Sequence, residues 1–195
     1  MSGKDFKVVF MGAAGVGKTS LIHRYCMGKF SDNTLATVGV SFFSKRVQLE
    51  KSEITLMIWD TAGEERFRSV APSLLRGTDG LVIVYDLTRP STLTEIDFYF
   101  RMFLDMVKVQ HDKPPVLLLG NKHDLVDEER VDNYEVVNWL NKRNVTMTAE
   151  VSAKTGDGVE DAMFKLAECV ALNYADDDTQ RTGLLRENTA RRKCC

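Results

Sequence analysis

The chain has 195 residues, of which 44% are hydrophobic and 28% charged, a balance typical of one globular domain. The formal net charge of −2 provides no overall basic surface for nucleic acid, and no apolar run approaches the roughly 18 residues of a membrane span. Two of the four cysteines lie in helical patterns and two end the chain, which is not a disulfide framework, so we expect a reducing compartment.

Short apolar runs alternate with amphipathic stretches along the chain. The runs FKVVFM, ITLMIWD, GLVIVYD, PPVLLLG and VTMTAEVS have the pattern of strands. Apolar residues recur at helical spacing over 93–107 and 159–170, and Ser91 is the expected N-cap of the first of these helices. Strands that alternate with helices predict an α/β fold, with a mostly parallel sheet and helices on both faces.

One segment departs from this alternation. In VSFFSKRVQLEKSEITLMIWD, two strand-like runs flank a short polar turn that leaves no room for a helix. We therefore predict a hairpin that adds one antiparallel edge strand to the sheet. The apolar periodicity stops at about Ala175, so we expect residues 175–195 to be a flexible tail.

The pattern G-x-x-x-x-G-K-T, from Gly12 to Thr19, follows a strand and opens a helix. In that context the glycines fold the backbone around an oxyanion, Lys18 reaches β- and γ-phosphates, and Thr19 offers a hydroxyl to Mg²⁺. Without that context the same letters would be a glycine-rich turn with a stray lysine. The predicted phosphate contacts are Ala14, Gly15, Val16, Gly17, Lys18, Thr19 and Ser20.

Asp60 closes the strand ITLMIWD and precedes Gly63. A carboxylate at a strand's carboxyl end is placed to enter the shell of Mg²⁺, so we predict that Asp60 is a metal residue.

The motif NKHD, Asn121 to Asp124, selects the base. Guanine presents two adjacent N–H donors that a carboxylate at Asp124 accepts, and adenine lacks that pair. The aliphatic stem of Lys122 covers a ring face. In VSAK, which closes the last strand, a backbone N–H is expected to meet guanine O6. The predicted base contacts are Asn121, Lys122, Asp124, Ser152, Ala153 and Lys154.

Together these motifs resemble those of the Ras-like small GTPases, and VGVSF, WDTAGEERFR, the RG of 76–77 and the terminal CC resemble the Rab family among them. The resemblance implies a GTPase domain over 1–174 with a six-stranded sheet and five helices. It also implies that Phe30 packs on guanine, that Thr37 joins Mg²⁺ and the γ-phosphate, and that Gly63 bonds that phosphate only in the GTP form. Residues expected to be read by effectors are Phe42, Trp59 and Leu74.

Three positions depart from the family pattern. Glu64 stands where a glutamine orients the attacking water, Ala14 replaces a frequent serine, and Leu74 with Leu75 replaces a tyrosine pair. Ionised, Glu64 keeps the accepting oxygens but loses the N–H donor and repels the phosphates, whereas protonated it donates. We assign Glu64 and Lys18 the catalytic roles and expect slow intrinsic hydrolysis. The resemblance also implies activating proteins that bring an arginine and a glutamine, so the rate of assisted hydrolysis stays open.

The ending RRKCC resembles the signal for double geranylgeranylation at Cys194 and Cys195, and two lipids give stable anchoring. The resemblance implies a monomeric GTP/GDP switch with Mg²⁺, held reversibly at the cytosolic face of an intracellular membrane in vesicular traffic. Its partners would be an exchange factor, an activating protein, effectors, and a GDP-dissociation inhibitor or escort protein, with no nucleic acid. The alternatives are a GTP-binding membrane scaffold with little hydrolysis and a small-molecule kinase, for which the chain lacks a lid segment.

Overall fold

The computed structural model describes residues 4–32, 37, 39–61, 74–107, 114–125 and 130–174. Its strands are β1 (Lys4–Met11), β2 (Val40–Gln48), β3 (Glu53–Thr61), β4 (Gly80–Asp86), β5 (Val116–Asn121) and β6 (Met147–Glu150). Its helices are α1 (Lys18–Met27), α2 (Pro90–Thr94), α3 (Ile96–Val107), α4 (Asn133–Arg143) and α5 (159–174), with a 3₁₀ turn at His123–Leu125.

The strands form one six-stranded sheet in the order β2-β3-β1-β4-β5-β6. Every neighbouring pair is parallel except β2 and β3, so the predicted fold class and the predicted antiparallel edge strand are confirmed. The hairpin closes where the Leu49 N–H donates to the Ser52 carbonyl at 2.8 Å. In the register Asp60 lies opposite Phe10 and Asp86 opposite Asn121, so the carboxyl ends of four strands meet at one edge.

Alternate residues of the central strands enter two separate cores, one on each face of the sheet. On one face Val8, Leu56 and Val82 pack with α1 and α5, and on the other Val9 and Leu81 pack with the helices α2, α3 and α4. All seven residues of β4 are buried, as expected of a strand covered on both sides. Each large apolar side chain so buried contributes roughly 1.5–3 kcal/mol.

The segment predicted as one helix from Ser91 onward forms two helices instead. The first begins at Pro90, whose fixed φ suits an opening helical position, and Arg89 is the N-cap residue, so the expected capping role of Ser91 is wrong. The chain turns at Glu95, which ends α2, before α3 begins. Thr92 is buried and its hydroxyl accepts from the Asp86 N–H at 2.9 Å, which fastens α2 to the end of β4.

The last strand is shorter than its apolar run. The Asn144 backbone adopts a left-handed φ of 54° at the end of α4, and the Val145 N–H then donates back to the Leu140 carbonyl. Val145 therefore closes the helix, and β6 begins at Met147. None of the helices in the described part of the chain is long and apolar enough to cross a bilayer.

Candidate nucleotide-binding site

The phosphate loop joins β1 to α1 at the carboxyl edge of the sheet. Gly12 has a φ of 142°, and a Cβ there would lie 2.2 Å from the Val84 carbonyl oxygen. Gly17 has a φ of 94°, and its Cβ would lie 2.3 Å from the amide nitrogen of Asn121. Glycine is needed at both positions because the backbone is left-handed and the neighbouring strands approach so closely.

Lys18 is buried at the centre of the loop. Its ammonium donates to the carbonyls of Gly12 and Ala13 at 2.8 and 2.9 Å, which leaves one of its three N–H groups for another acceptor. Burial lowers the pKa of Lys18 to about 8, and the negative charges of Asp60 and Glu95 act against that shift. The loop thus holds a cation whose remaining donor suits a phosphate oxygen.

Thr19, Thr37 and Asp60 form one oxygen-rich cluster beside Lys18. The Thr19 hydroxyl donates to Asp60 Oδ2 at 2.6 Å, and its oxygen lies 2.7 Å from the Thr37 hydroxyl. Because the one proton of Thr19 is used on Asp60, the Thr37 hydroxyl is the donor in the second contact. These three side chains were predicted as the metal residues, and the fold brings them together.

The cluster fits a small hard cation. Asp60 Oδ1 is buried and accepts no hydrogen bond within the described residues. Burial raises the pKa of Asp60, against the Thr19 hydrogen bond and the charges of Lys18 and His23. A carboxylate and two hydroxyls are ligands that Mg²⁺ prefers. Within the described ranges no three His, Cys, Asp or Glu side chains group as a metal site.

Asn121 connects the phosphate loop to the base-reading loops. Its side chain is buried, donates to the Val16 carbonyl at 2.8 Å and accepts from the Ala153 N–H at 3.1 Å. The Ser152 hydroxyl donates to Asp124 Oδ1 at 2.6 Å and so orients the carboxylate predicted to read guanine. Any bond from the Ala153 N–H to a base oxygen would share that donor with Asn121.

Two residues that the motifs did not identify support Lys122, Asp86 by direct contact and Arg89 through the same carboxylate. Lys122 has a left-handed φ of 70°, and its ammonium lies 2.7 Å from Oδ2 of the buried Asp86. Arg89 donates to the same carboxylate oxygen at 3.1 Å and to the Ala14 carbonyl at 3.0 Å. Burial alone would raise the pKa of Asp86, but hydrogen bonds from Lys122 and Thr88 bring it below its ordinary value. The aspartate that ends the strand GLVIVYD was the available signal in the sequence.

A cleft of about 520 Å³ runs between these loops, a size within the usual range for a small-molecule site. Val16 and Ser152, both predicted contacts, are buried and do not line the cleft, so their side chains support the residues that do line it. The predicted residues that do line it are Ala14, Gly15, Gly17, Lys18, Thr19, Ser20, Phe30, Thr37, Asn121, Lys122, Asp124, Ala153 and Lys154.

The residues expected to be read by effectors lie away from the cleft. Phe42 and Trp59 are cross-strand partners on β2 and β3, with ring centroids 5.5 Å apart in an edge-to-face arrangement. Phe42 is 49% exposed, so its ring is accessible to a partner. Leu74 is partly buried. The predicted residues Gly63, Glu64, Cys194 and Cys195 lie outside the described residues.

Comparison with known proteins gives consistent matches. A family model described as Ras family matches residues 7–172. The chain is 36% identical over 176 residues to the Ras-related protein Rab-7a of Paramecium octaurelia, covering 89% of this chain and 84% of the relative. It is 38% identical over 172 residues to the Ras-related protein Rab7 of Drosophila melanogaster, covering 86% and 83%.

A further relative is much longer than this chain. The Ras and EF-hand domain-containing protein homolog of Mus musculus is 36% identical over 205 residues, which takes in 100% of this chain and 32% of the relative. The chain therefore spans about a third of that protein's length.

Proposed function

Because the chain belongs to the Ras family of small GTPases and is of the Rab type, we propose that it is a GTP/GDP switch of vesicular membrane traffic. It binds guanine nucleotide with Mg²⁺, hydrolyses GTP, and recruits effectors in the GTP form. One observation carries the proposal: a phosphate loop and a guanine-type base loop open onto the same cleft and are joined by Asn121.

At the phosphate end, the chain's own residues bind and orient the polyphosphate. Lys18 has one N–H left for a β- or γ-oxygen, and the backbone of the loop presents N–H groups at the start of α1. Thr19, Thr37 and Asp60 would hold Mg²⁺, which when bound neutralises charge on the β- and γ-phosphate oxygens.

Hydrolysis transfers the γ-phosphoryl group to water. Water attacks the γ-phosphorus in line, the bond from that phosphorus to the β–γ bridging oxygen breaks, and GDP leaves with that oxygen. The positive charge of Lys18 stabilises the negative charge that develops on the phosphate oxygens during this step. We propose that Glu64 makes this step slow, because an ionised carboxylate lacks the N–H donor of glutamine and adds negative charge beside the phosphates.

At the base end, Asp124 accepts the two adjacent donors of guanine. The Ser152 hydroxyl fixes one carboxylate oxygen, and the stem of Lys122 lines the cleft where a ring face would lie. This assignment is tested by Asp124→Asn, whose amide donates to the C2 carbonyl of xanthine but cannot accept both guanine donors.

The variant is expected to lose affinity for GTP and gain affinity for xanthosine triphosphate, measured by competition against a fluorescent nucleotide. Asp157→Asn is the matched control, because it makes the same charge change in the neighbouring turn without lining the cleft. Unchanged affinities in Asp124→Asn would sink the base assignment.

A second candidate is a GTP-binding membrane scaffold with little or no hydrolysis. Glu64 favours it, as does Ala14, which lines the cleft and places a methyl group in the phosphate loop. Single-turnover GTP hydrolysis, with and without an activating protein, distinguishes the two. If GTP is hydrolysed neither with nor without the activating protein, the scaffold is favoured.

Membrane attachment completes the proposal. We assign prenylation to Cys194 and Cys195, at the end of a tail over 175–195 that follows a GTPase domain over 1–174. The expected partners are an exchange factor, an activating protein, effectors that read Phe42, Trp59 and Leu74, and a GDP-dissociation inhibitor or escort protein. The protein is then held reversibly on the cytosolic face of an intracellular membrane, as a monomer.

A further inference from the structure

Arg24, on α1, donates hydrogen bonds to three backbone carbonyls from three of its nitrogens. Nε donates to the Ala153 carbonyl at 2.9 Å, Nη2 to the Lys154 carbonyl at 2.5 Å, and Nη1 to the Gly28 carbonyl at 2.9 Å. The planar guanidinium presents its donors in a fixed fork, so the three oxygens are held in one mutual arrangement.

Two of the three carbonyls belong to one wall of the base end of the cleft, and the third belongs to Gly28, two residues before Phe30 of another wall. Ala153 and Lys154 line it directly. Gly28 ends α1 with a left-handed φ of 67°, its N–H donates to the Arg24 carbonyl at 3.0 Å, and the chain then leads to Phe30, which lines the cleft from another side. Arg24 itself does not line the cleft, so it acts only through these neighbours.

The loop that carries Ala153 has other attachments, which hold it to β5, to itself and to the apolar core that it shares with α1. The Ala153 N–H donates to Asn121, and the Gly156 N–H donates to the Ser152 carbonyl within the loop. Without Arg24, the carbonyls of Ala153 and Lys154 would lose a donor, and the loop and the Phe30 segment would lose the hydrogen bonds that join them through one side chain.

We propose that Arg24 is the positioning residue of the base end: it fastens the Ala153–Lys154 loop to the start of the Phe30 segment, and so sets how slowly guanine nucleotide leaves. The inference rests on the proposed function, since it concerns the same cleft. It concerns release, because the hydrogen bonds that the Arg24 side chain donates go to the base end of the cleft.

The decisive variant is Arg24→Met, which keeps a long apolar stem and removes every donor. Lys45→Met is the matched control. Lys45 is on β2, donates to the Tyr25 carbonyl at 2.9 Å and pairs with Glu160 at 2.7 Å, so it also fastens the end of α1 but contacts neither wall of the cleft. Both variants remove one positive charge and a donor to a backbone carbonyl.

The measurement is dissociation of fluorescent GDP from the Mg²⁺-loaded full chain, chased with excess GDP. We expect Arg24→Met to release GDP about tenfold faster or more, equivalent to ~1.4 kcal/mol, and Lys45→Met to stay within about twofold of wild type. The single-turnover rate of GTP hydrolysis at saturating protein should be unchanged in both, which a general loosening of the fold would not produce.

Arg24→Lys is the second variant, and it decides the matter if Arg24→Met does not fold. Its single ammonium keeps the charge but cannot match the planar fork, so an intermediate release rate supports the proposal. Release from Arg24→Lys at the wild-type rate overturns it, as does release from Arg24→Met no faster than from Lys45→Met. A wild-type chain that binds no GDP overturns the proposed function and this inference with it, whereas wild-type binding with unchanged variants overturns the inference alone.

Discussion

Replacing Asp86 by asparagine tests whether a buried charge at the end of β4 controls nucleotide binding. The Asp86 side chain is fully buried, and its Oδ2 receives Lys122 and Arg89 while its Oδ1 receives two bonds from Thr88. Asparagine retains an acceptor for Thr88 but presents an amide donor to the two cations. Lys122 then loses the contact that holds its left-handed backbone and its stem at the cleft.

The magnitude follows from the exposure of the two cations. Breaking a buried ion pair costs about 3–5 kcal/mol when the remaining charge stays buried. The side chains of Lys122 and Arg89 are 31% and 46% exposed, so both can turn towards water and the cost is smaller. A hydrogen bond to a charged group contributes about 1.5–3 kcal/mol. We therefore expect a loss of ~2 kcal/mol in the free energy of unfolding and about a tenfold loss in GDP affinity.

Asp97→Asn is the matched control for this substitution. Asp97, on α3, pairs with Arg143 at 2.5 Å and Arg101 at 2.7 Å and does not line the cleft. Denaturant unfolding should show lower stability in both variants, whereas titration with fluorescent GDP should show weaker binding in Asp86→Asn alone. Equal GDP affinity in the two variants would refute the claim that Asp86 acts on the site through Lys122.

The comparison of wild type with Asp86→Asn also predicts a pH dependence of stability. The pKa of Asp86 is lower in the folded protein than its ordinary value, so the stabilisation it provides is complete above about pH 5 and is lost as pH falls below about 4. Asparagine mimics the protonated acid. The difference in free energy of unfolding between wild type and Asp86→Asn should therefore be full at neutral pH and shrink towards pH 3.5 in denaturant titrations. A difference that grows on acidification contradicts this assignment.

Three other outcomes are expected. Gly17→Ala should weaken GDP binding by about a hundredfold, because the new Cβ meets the Asn121 amide and the left-handed backbone is strained. Gly77→Ala is the control, since Gly77 has a φ of 68° and open space around it, and it should only lower the melting temperature. Equal GDP affinities of the two variants would contradict this. Glu64→Gln should speed single-turnover hydrolysis by roughly tenfold or more. A variant no faster than wild type would show that Glu64 does not limit the rate. Replacing the terminal cysteine pair with serine should leave GDP affinity intact and move the protein from membranes to the soluble fraction, and a variant that still sediments with membranes argues against lipid anchoring.

The sequence by itself determined the fold class and where the chemistry lies within it. Apolar runs that alternate with helical stretches specify a parallel sheet, because each run must be covered on both faces. β1 ends at Met11, β3 at Thr61 directly after Asp60, and β5 at Asn121. Each motif therefore comes at the carboxyl end of a strand, and those ends share one edge of any such sheet. The hairpin was equally readable, since the short turn between β2 and β3 permits only an antiparallel return.

Only the tertiary structure decided which distant side chains meet. Arg24 reaches the Ala153 loop, Asp86 meets Lys122, and Arg89 donates to the Ala14 carbonyl, yet none of these three contacts joins residues at a local spacing that a sequence pattern reports. Periodicity records which residues face the core, because burial of apolar area is roughly additive and non-directional. A hydrogen bond or ion pair is directional and short, so its partner is fixed only after the whole sheet has brought the loops to one edge.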